Sequence, residues 1–211
     1  MTNKVNDYFF DWNGQYNQML TGKVNIDKKG DFMKLFTSKK KKIILLDVLL
    51  FICLVVFDQF TKYLAILNLK DQSAVPIIKN VLELNYLENR GAAFGMLQDQ
   101  KIFFILIAVF IIGIISYVLC IMPDDKKYNA LHILLVMICS GACGNMIDRI
   151  RTDYVVDFIY FVLINFPIFN FADICVTVST VLLIILFLFY YKEKDFAFLS
   201  FKQQKKIREI K

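Results

Sequence analysis

Residues 39–67 read KKKKIILLDVLLFICLVVFDQFTKYLAIL, four lysines followed by a long apolar run. A helix needs about 20 predominantly apolar residues to cross a bilayer core. Further runs of this kind follow at 102–122, 130–147 and 172–191. One run would suit a buried helix of a soluble protein, but four in a chain of 211 residues would not. The reading is a mainly α membrane protein with four transmembrane helices, the first at 43–67.

Composition agrees. Hydrophobic residues make up 57% of the chain and mean hydropathy is +0.52. A soluble domain carries roughly 45–50% apolar residues. With 8 Gly and 3 Pro, disordered, collagenous and low-complexity chains are excluded. The formal net charge is +6, which on a soluble protein points to nucleic acid. Here the cations gather beside apolar runs, so they read as orienting charge in contact with membrane lipids, with no nucleic-acid partner.

The cations also set the orientation. Nine Lys and Arg lie in 1–42, two in 123–129 and seven in 192–211, against four in 68–101 and two in 148–171. Positive residues favour the cytoplasmic side, which puts both termini in the cytoplasm and makes 68–101 and 148–171 the outward segments. Three regions follow: a basic cytoplasmic extension at 1–42, a membrane domain at 43–191 and a basic tail at 192–211. The extension has no apolar core and does not read as a signal peptide. Leu50-Phe51-Ile52-Cys53 has bulky residues where a lipobox needs small ones, so the first span is retained. In the tail, Phe196, Phe198 and Phe201 are expected at the headgroup interface. Within 75–97, short β-prone stretches and the Gly91–Gly95 turn predict a small extracytoplasmic β element. No internal repeat is visible, which argues against a transporter of inverted repeats.

The five cysteines all lie in apolar runs and contain no CxxC pair. They read as small buried hydrophobes, not as a metal site. The one histidine, His132, falls near the cytoplasmic end of the third span, and one histidine excludes an HExxH zinc site.

Ionisable residues inside a membrane are costly and mark function. Asp58 and Lys62 are four apart on one helix face and suit an ion pair. Asn145 and Arg149 share a face in the same way, after the small residues Ser140, Gly141 and Gly144 that permit close helix approach. Asp157 stands in the β-branched, apolar context Val155-Val156-Asp157-Phe158. Asp173 opens the fourth span three residues after Asn170, a spacing that equally suits a helix cap. Both aspartates border the outward surface, where there is no histidine. Two carboxyls within hydrogen-bond reach cannot both ionise, so one would serve as base toward a water and the other as acid.

In order along the chain stand Asp58-Gln-Phe-Thr-Lys62, Asn89-Arg-Gly91-Ala-Ala-Phe, Gly144-Asn145-Met-Ile-Asp148-Arg149, Val-Val-Asp157-Phe and Phe-Asn170-Phe-Ala172-Asp173. This set, over roughly 44–190, resembles bacterial lipoprotein signal peptidase (signal peptidase II). The resemblance implies a membrane aspartyl peptidase that removes signal peptides from prolipoproteins just before a diacylglyceryl-modified cysteine. It implies Asp157 and Asp173 as the catalytic pair, and Asn89, Gly91, Asn145, Arg149, Asn170, Asp58 and Lys62 as residues binding substrate or supporting the pair. It further implies a β-cradle at the outer face, no metal and no cofactor. Lipid-modified prolipoproteins in the bacterial cell membrane are the expected substrates, and a monomer is expected. The alternatives are a small ion- or proton-coupled transporter using the acidic residues, and a non-catalytic lipid-binding or assembly protein.

Overall fold

The computed structural model describes residues 38–91 and 96–199. Most of the basic extension, Phe201 and positions 92–95 of the Gly91–Gly95 turn lie outside the described residues. Among the described residues, four helices are long and apolar enough to cross a membrane. They are α1 (Ser38–Leu69), α2 (Lys101–Ile121), α3 (Asn129–Thr152) and α4 (Phe171–Phe189). Two extend well beyond the expected bounds. α1 takes in the whole lysine run from Ser38, since lysine is a good helix former. α3 continues to Thr152, so Asp148 and Arg149 are helical and not part of a loop. It stops where Asp153 turns left-handed (φ 68°) and its N–H returns to the Arg149 carbonyl.

The β element is larger than 75–97 alone provides. β1 (Val75–Ile78) and β2 (Leu82–Asn89) form an antiparallel pair, and β3 (Val155–Phe161) adds to the far side of β2. β3 comes from the second outward segment, so the sheet joins the α1–α2 and α3–α4 connections. Leu87 opposes Asp157 and Asn89 opposes Val155. Val156 and Phe158 pack with Ala65 and Leu69, which seats the sheet on the last turns of α1. A break in register between Leu84 and Leu87 bends β2 at that point.

A second apolar core fills the opposite end of the bundle, built on Met122, Tyr128, Leu131, Leu134, Leu183 and Tyr191. The tail joins it. Phe196 packs on Phe187 and Tyr191 at ring-centre distances of 5.2 and 5.5 Å, and Phe198 meets Tyr128 at 5.7 Å. These two rings, half-buried, extend the apolar core with their neighbours. Aromatic edges on ring faces favour such clusters.

α1 is attached differently. Few of its residues are buried, and three of the five are Lys40, Asp58 and Lys62. Lys40 donates to the carbonyls of Leu119 and Met122 at the end of α2, and Asp47 meets His132 Nδ1 at 2.7 Å. Lipid tails are as apolar as leucine, so polar bonds and close packing are what distinguish a neighbouring helix from lipid.

α3 packs closely on both α4 and α1. A Cβ added at Gly141 would lie 2.5 Å from the Ala172 carbonyl oxygen, and one at Gly144 would collide with Asp58 Oδ2. Gly113 on α2 has open space instead. Gly141→Ala and Gly144→Ala are expected to lower stability by about 1–3 kcal/mol through overpacking. Gly113→Ala is expected to leave it level or slightly raised, alanine being the better helix former. Thermal unfolding in detergent distinguishes them; equal melting temperatures for all three variants would contradict the close approach.

Candidate active site

Asp157 and Asp173 reach one cavity from different elements. Asp157 is carried by β3, where strand alternation turns it to the same face as Asn89, its diagonal neighbour on β2. Asn89 Nδ2 donates to Asp157 Oδ2 at 2.8 Å, and its Oδ1 accepts the Gly91 N–H at 2.9 Å, which fixes the amide's orientation. Asp173 sits in the first turn of α4. The cap read from the sequence is present: Asn170 Oδ1 accepts the Asp173 N–H, and Asp173 Oδ2 accepts the Asn170 N–H, both at 3.1 Å. The cap leaves Asp173 Oδ1 to accept from Asn145 Nδ2 at 2.8 Å. Capping and a place in the cavity are compatible because they use different oxygens.

Two asparagines bridge the acids. Asn170 is fully buried, and its Nδ2 donates to Asp157 Oδ1 at 2.6 Å and to Asn145 Oδ1 at 3.1 Å. Asn145 in turn donates to Asp173. The cavity, about 340 Å³, is lined by both aspartates with Asn89, Asn145, Arg149 and Phe104 among others. Asp157 is 1% exposed. Burial and the nearby charge of Asp173 push its carboxyl up to about 7, against the donations from Asn89 and Asn170.

Arg149 stands at the cavity with a fixed orientation. Nη2 donates to the Gly91 carbonyl at 3.0 Å, and its guanidinium lies 4.4 Å from the Phe104 ring centre. Gly91 has no room for a side chain, because a Cβ would come within 2.5 Å of the Met96 carbonyl. Arginine and glycine together hold the β2–α2 connection against α3.

Asp58 and Lys62 do not line the cavity. Both are almost fully buried behind it. Lys62 Nζ lies 2.9 Å from Asp58 Oδ2 and 2.9 Å from Asp148 Oδ2, and it donates to Asn145 Oδ1 at 2.8 Å. Gln59 Nε2 reaches Asp148 Oδ1 at 2.9 Å. Asp148, Gln59, Phe104 and Thr177 were not among the residues singled out from the sequence. The pattern at 58–62 and 144–149 contained the first two, but only as neighbours of other candidates. Phe104 and Thr177 lie in apolar spans with nothing local to mark them.

A family model for signal peptidase II matches residues 50–189. A lipoprotein signal peptidase of Caldanaerobacter subterraneus subsp. tengcongensis is 46% identical over 140 residues, covering 65% of this chain and 93% of its own. One from Streptococcus pyogenes serotype M5 is 39% identical over 157 residues, covering 74% and 98%. Two solved structures described as bacterial membrane enzymes superpose with TM-scores of 0.61. They are 33% and 34% identical, cover 71% and 70% of this chain, and are themselves covered to 93% and 96%. Four membrane-length helices, a three-stranded sheet and these relatives make this a multi-pass membrane protein, and the chain belongs to the signal peptidase II family.

Proposed function

We propose that the chain is an aspartyl endopeptidase that removes the signal peptide from diacylglyceryl-modified prolipoproteins, cutting before the lipidated cysteine. Asp157 and Asp173 are its catalytic pair. The observation that carries this reading is that two acids from separate elements face one cavity and are joined through Asn170 and Asn145. The lysine and arginine distribution puts that cavity at the outer face, with both termini in the cytoplasm. A lipidated precursor arrives there with its acyl chains still in the bilayer. A single chain contains the whole pair, so a monomer suffices.

The pair needs one proton. Asp157, with its carboxyl pushed up to about 7, is the partner that keeps it. Asp173 takes the proton of a water held between them while Asp157 O–H donates to the scissile carbonyl oxygen. As the tetrahedral intermediate collapses and the C–N bond breaks, Asp173 passes its proton to the leaving amine and Asp157 takes one back from the hydroxyl, so the two carboxyls exchange roles. This exchange requires neither metal nor cofactor. Asn145 and Asn170 keep both acids in register, and Arg149 fixes the Gly91 segment beside the substrate path. The ion-path alternative has no comparable support, since Asp58 and Lys62 are closed on one another and on Asp148. The lysines of segments 1–42 and 192–211 meet anionic headgroups on the cytoplasmic side of this enzyme.

Asp157→Asn and Asp173→Asn are each expected to lower cleavage of a lipid-modified precursor by about 10³-fold, within the range for lost acid–base catalysis. Normal cleavage by either folded variant in a bilayer removes the dyad. The pH dependence has a definite sign. Asp157 must be protonated, so kcat falls as pH rises through about 7. The Asn89 N–H favours the ionised form. Asn89→Ala therefore lets Asp157 keep its proton longer and moves the alkaline limb upward. A limb that moves downward, or stays in place, assigns the proton elsewhere.

A further inference from the structure

Resting on the dyad reading above, we infer that Asp148 is a positioning residue that, with Asp58 and Lys62, sets the separation of Asp157 and Asp173. The argument starts from two main-chain donors. Asp148 Oδ2 accepts the Val156 N–H at 3.2 Å, and Asp58 Oδ1 accepts the Ala172 N–H at 3.0 Å. Val156 and Ala172 each stand immediately before a dyad aspartate. Each buried carboxylate thus holds the backbone of one catalytic segment by its neighbouring peptide. Lys62 ties those carboxylates together, at 2.9 Å from each. A carboxylate–ammonium–carboxylate clamp therefore spans from β3 to α4, and its length is fixed by two ionic contacts and a peptide hydrogen bond at each end. All three members are almost wholly buried.

The clamp has a second connection, through side chains. An ammonium only donates, so Lys62 requires the oxygen of Asn145 on its side. The Asn145 amide group is thereby turned to Asp173. The same oxygen accepts from Asn170 Nδ2, whose other acceptor is Asp157. Lys62 therefore governs both acids by two routes, one through peptide N–H groups and one through asparagine amides. Asp148 belongs only to the first and has no contact with the dyad.

Asp148 is the member to alter, because Asp58 and Lys62 remain a neutral pair without its charge. Every partner at its side chain is a donor: the Val156 N–H, Lys62 and Gln59. In Asp148→Asn the new amide N–H must face one of them, so the contact opens. Cleavage of a lipid-modified precursor should show kcat lowered about 10- to 100-fold at nearly unchanged KM, the scale of a catalytic group displaced by about 1 Å. The alkaline limb of kcat should also move, because the charge of one aspartate on the other depends on their separation. Asp148→Glu restores the charge and should recover part of kcat. Wild-type kcat and pH profile in folded Asp148→Asn overturn the inference. So does an activity loss that matches the fraction unfolded by thermal melt. If Asp148→Asn does not accumulate, Asp148→Glu is read alone: a wild-type limb position overturns the inference, and a displaced limb supports it. Activity surviving in Asp157→Asn or Asp173→Asn would instead remove the dyad reading, whatever Asp148→Asn does.

Discussion

At residue 144 the backbone of α3 has no side chain, and a carboxylate of α1 occupies the space. That absence sets the geometry of the sheet end of the molecule. With Gly144 in place, Asp58 can press against α3 and still reach the Ala172 peptide of α4. With Gly141 in place, α3 and α4 touch backbone to backbone one turn away. Three helices are thereby brought within a few ångströms at one level, and the buried ions, the asparagine bridge and the two cavity acids are built around that point. A larger residue would move α1 from α3 and separate the lysine from its second carboxylate.

The bilayer explains why charge is used for this. In water, burying unpaired ions is penalised and apolar packing is the cheaper adhesive. Between helices in lipid, apolar surface supplies little preference for protein over acyl chain. α1 shows this along its length, with Lys40 on the α2 carbonyls, Asp47 on His132, and Asp58 and Lys62 on α3 and α4. Each attachment is directional, so each specifies a rotation and a depth as well as a partner. Apolar residues on the remaining faces of α1 then need only match the lipid.

The sequence was informative to different degrees for different features. Four spans were legible because each is a long local run, and so was the Asn170–Asp173 cap, which is a matter of three residues. The aspartate pair was legible as chemistry: two acids at one surface with no histidine beside them. β3 was not, since its strand character is expressed only when β2 lies alongside it. Asp148 was hidden for a related reason. Nothing local marks it, because its partners Gln59 and Lys62 stand on α1, Gln59 lying 89 residues earlier. Phe196 and Phe198 look interfacial beside lysines, and their packing on the rings of Tyr128 and Tyr191, distant in sequence, leaves no local mark. Features set by spacing within one helix were readable; those set by contacts between helices were not.

The order in which the ions meet bears on how such a chain enters a membrane. Asp58 and Lys62 lie on one helix and reach the bilayer already neutralised. Asp148 lies on a later helix, and its ionic partner is Lys62 of α1. When the helices meet, Lys62 takes a second carboxylate, and Arg149 donates to the Gly91 carbonyl beside the Phe104 ring. Asp173 and Asn170 come last, with the final span. A growing chain thus has no complete acid pair around the cavity until its last helix is in place.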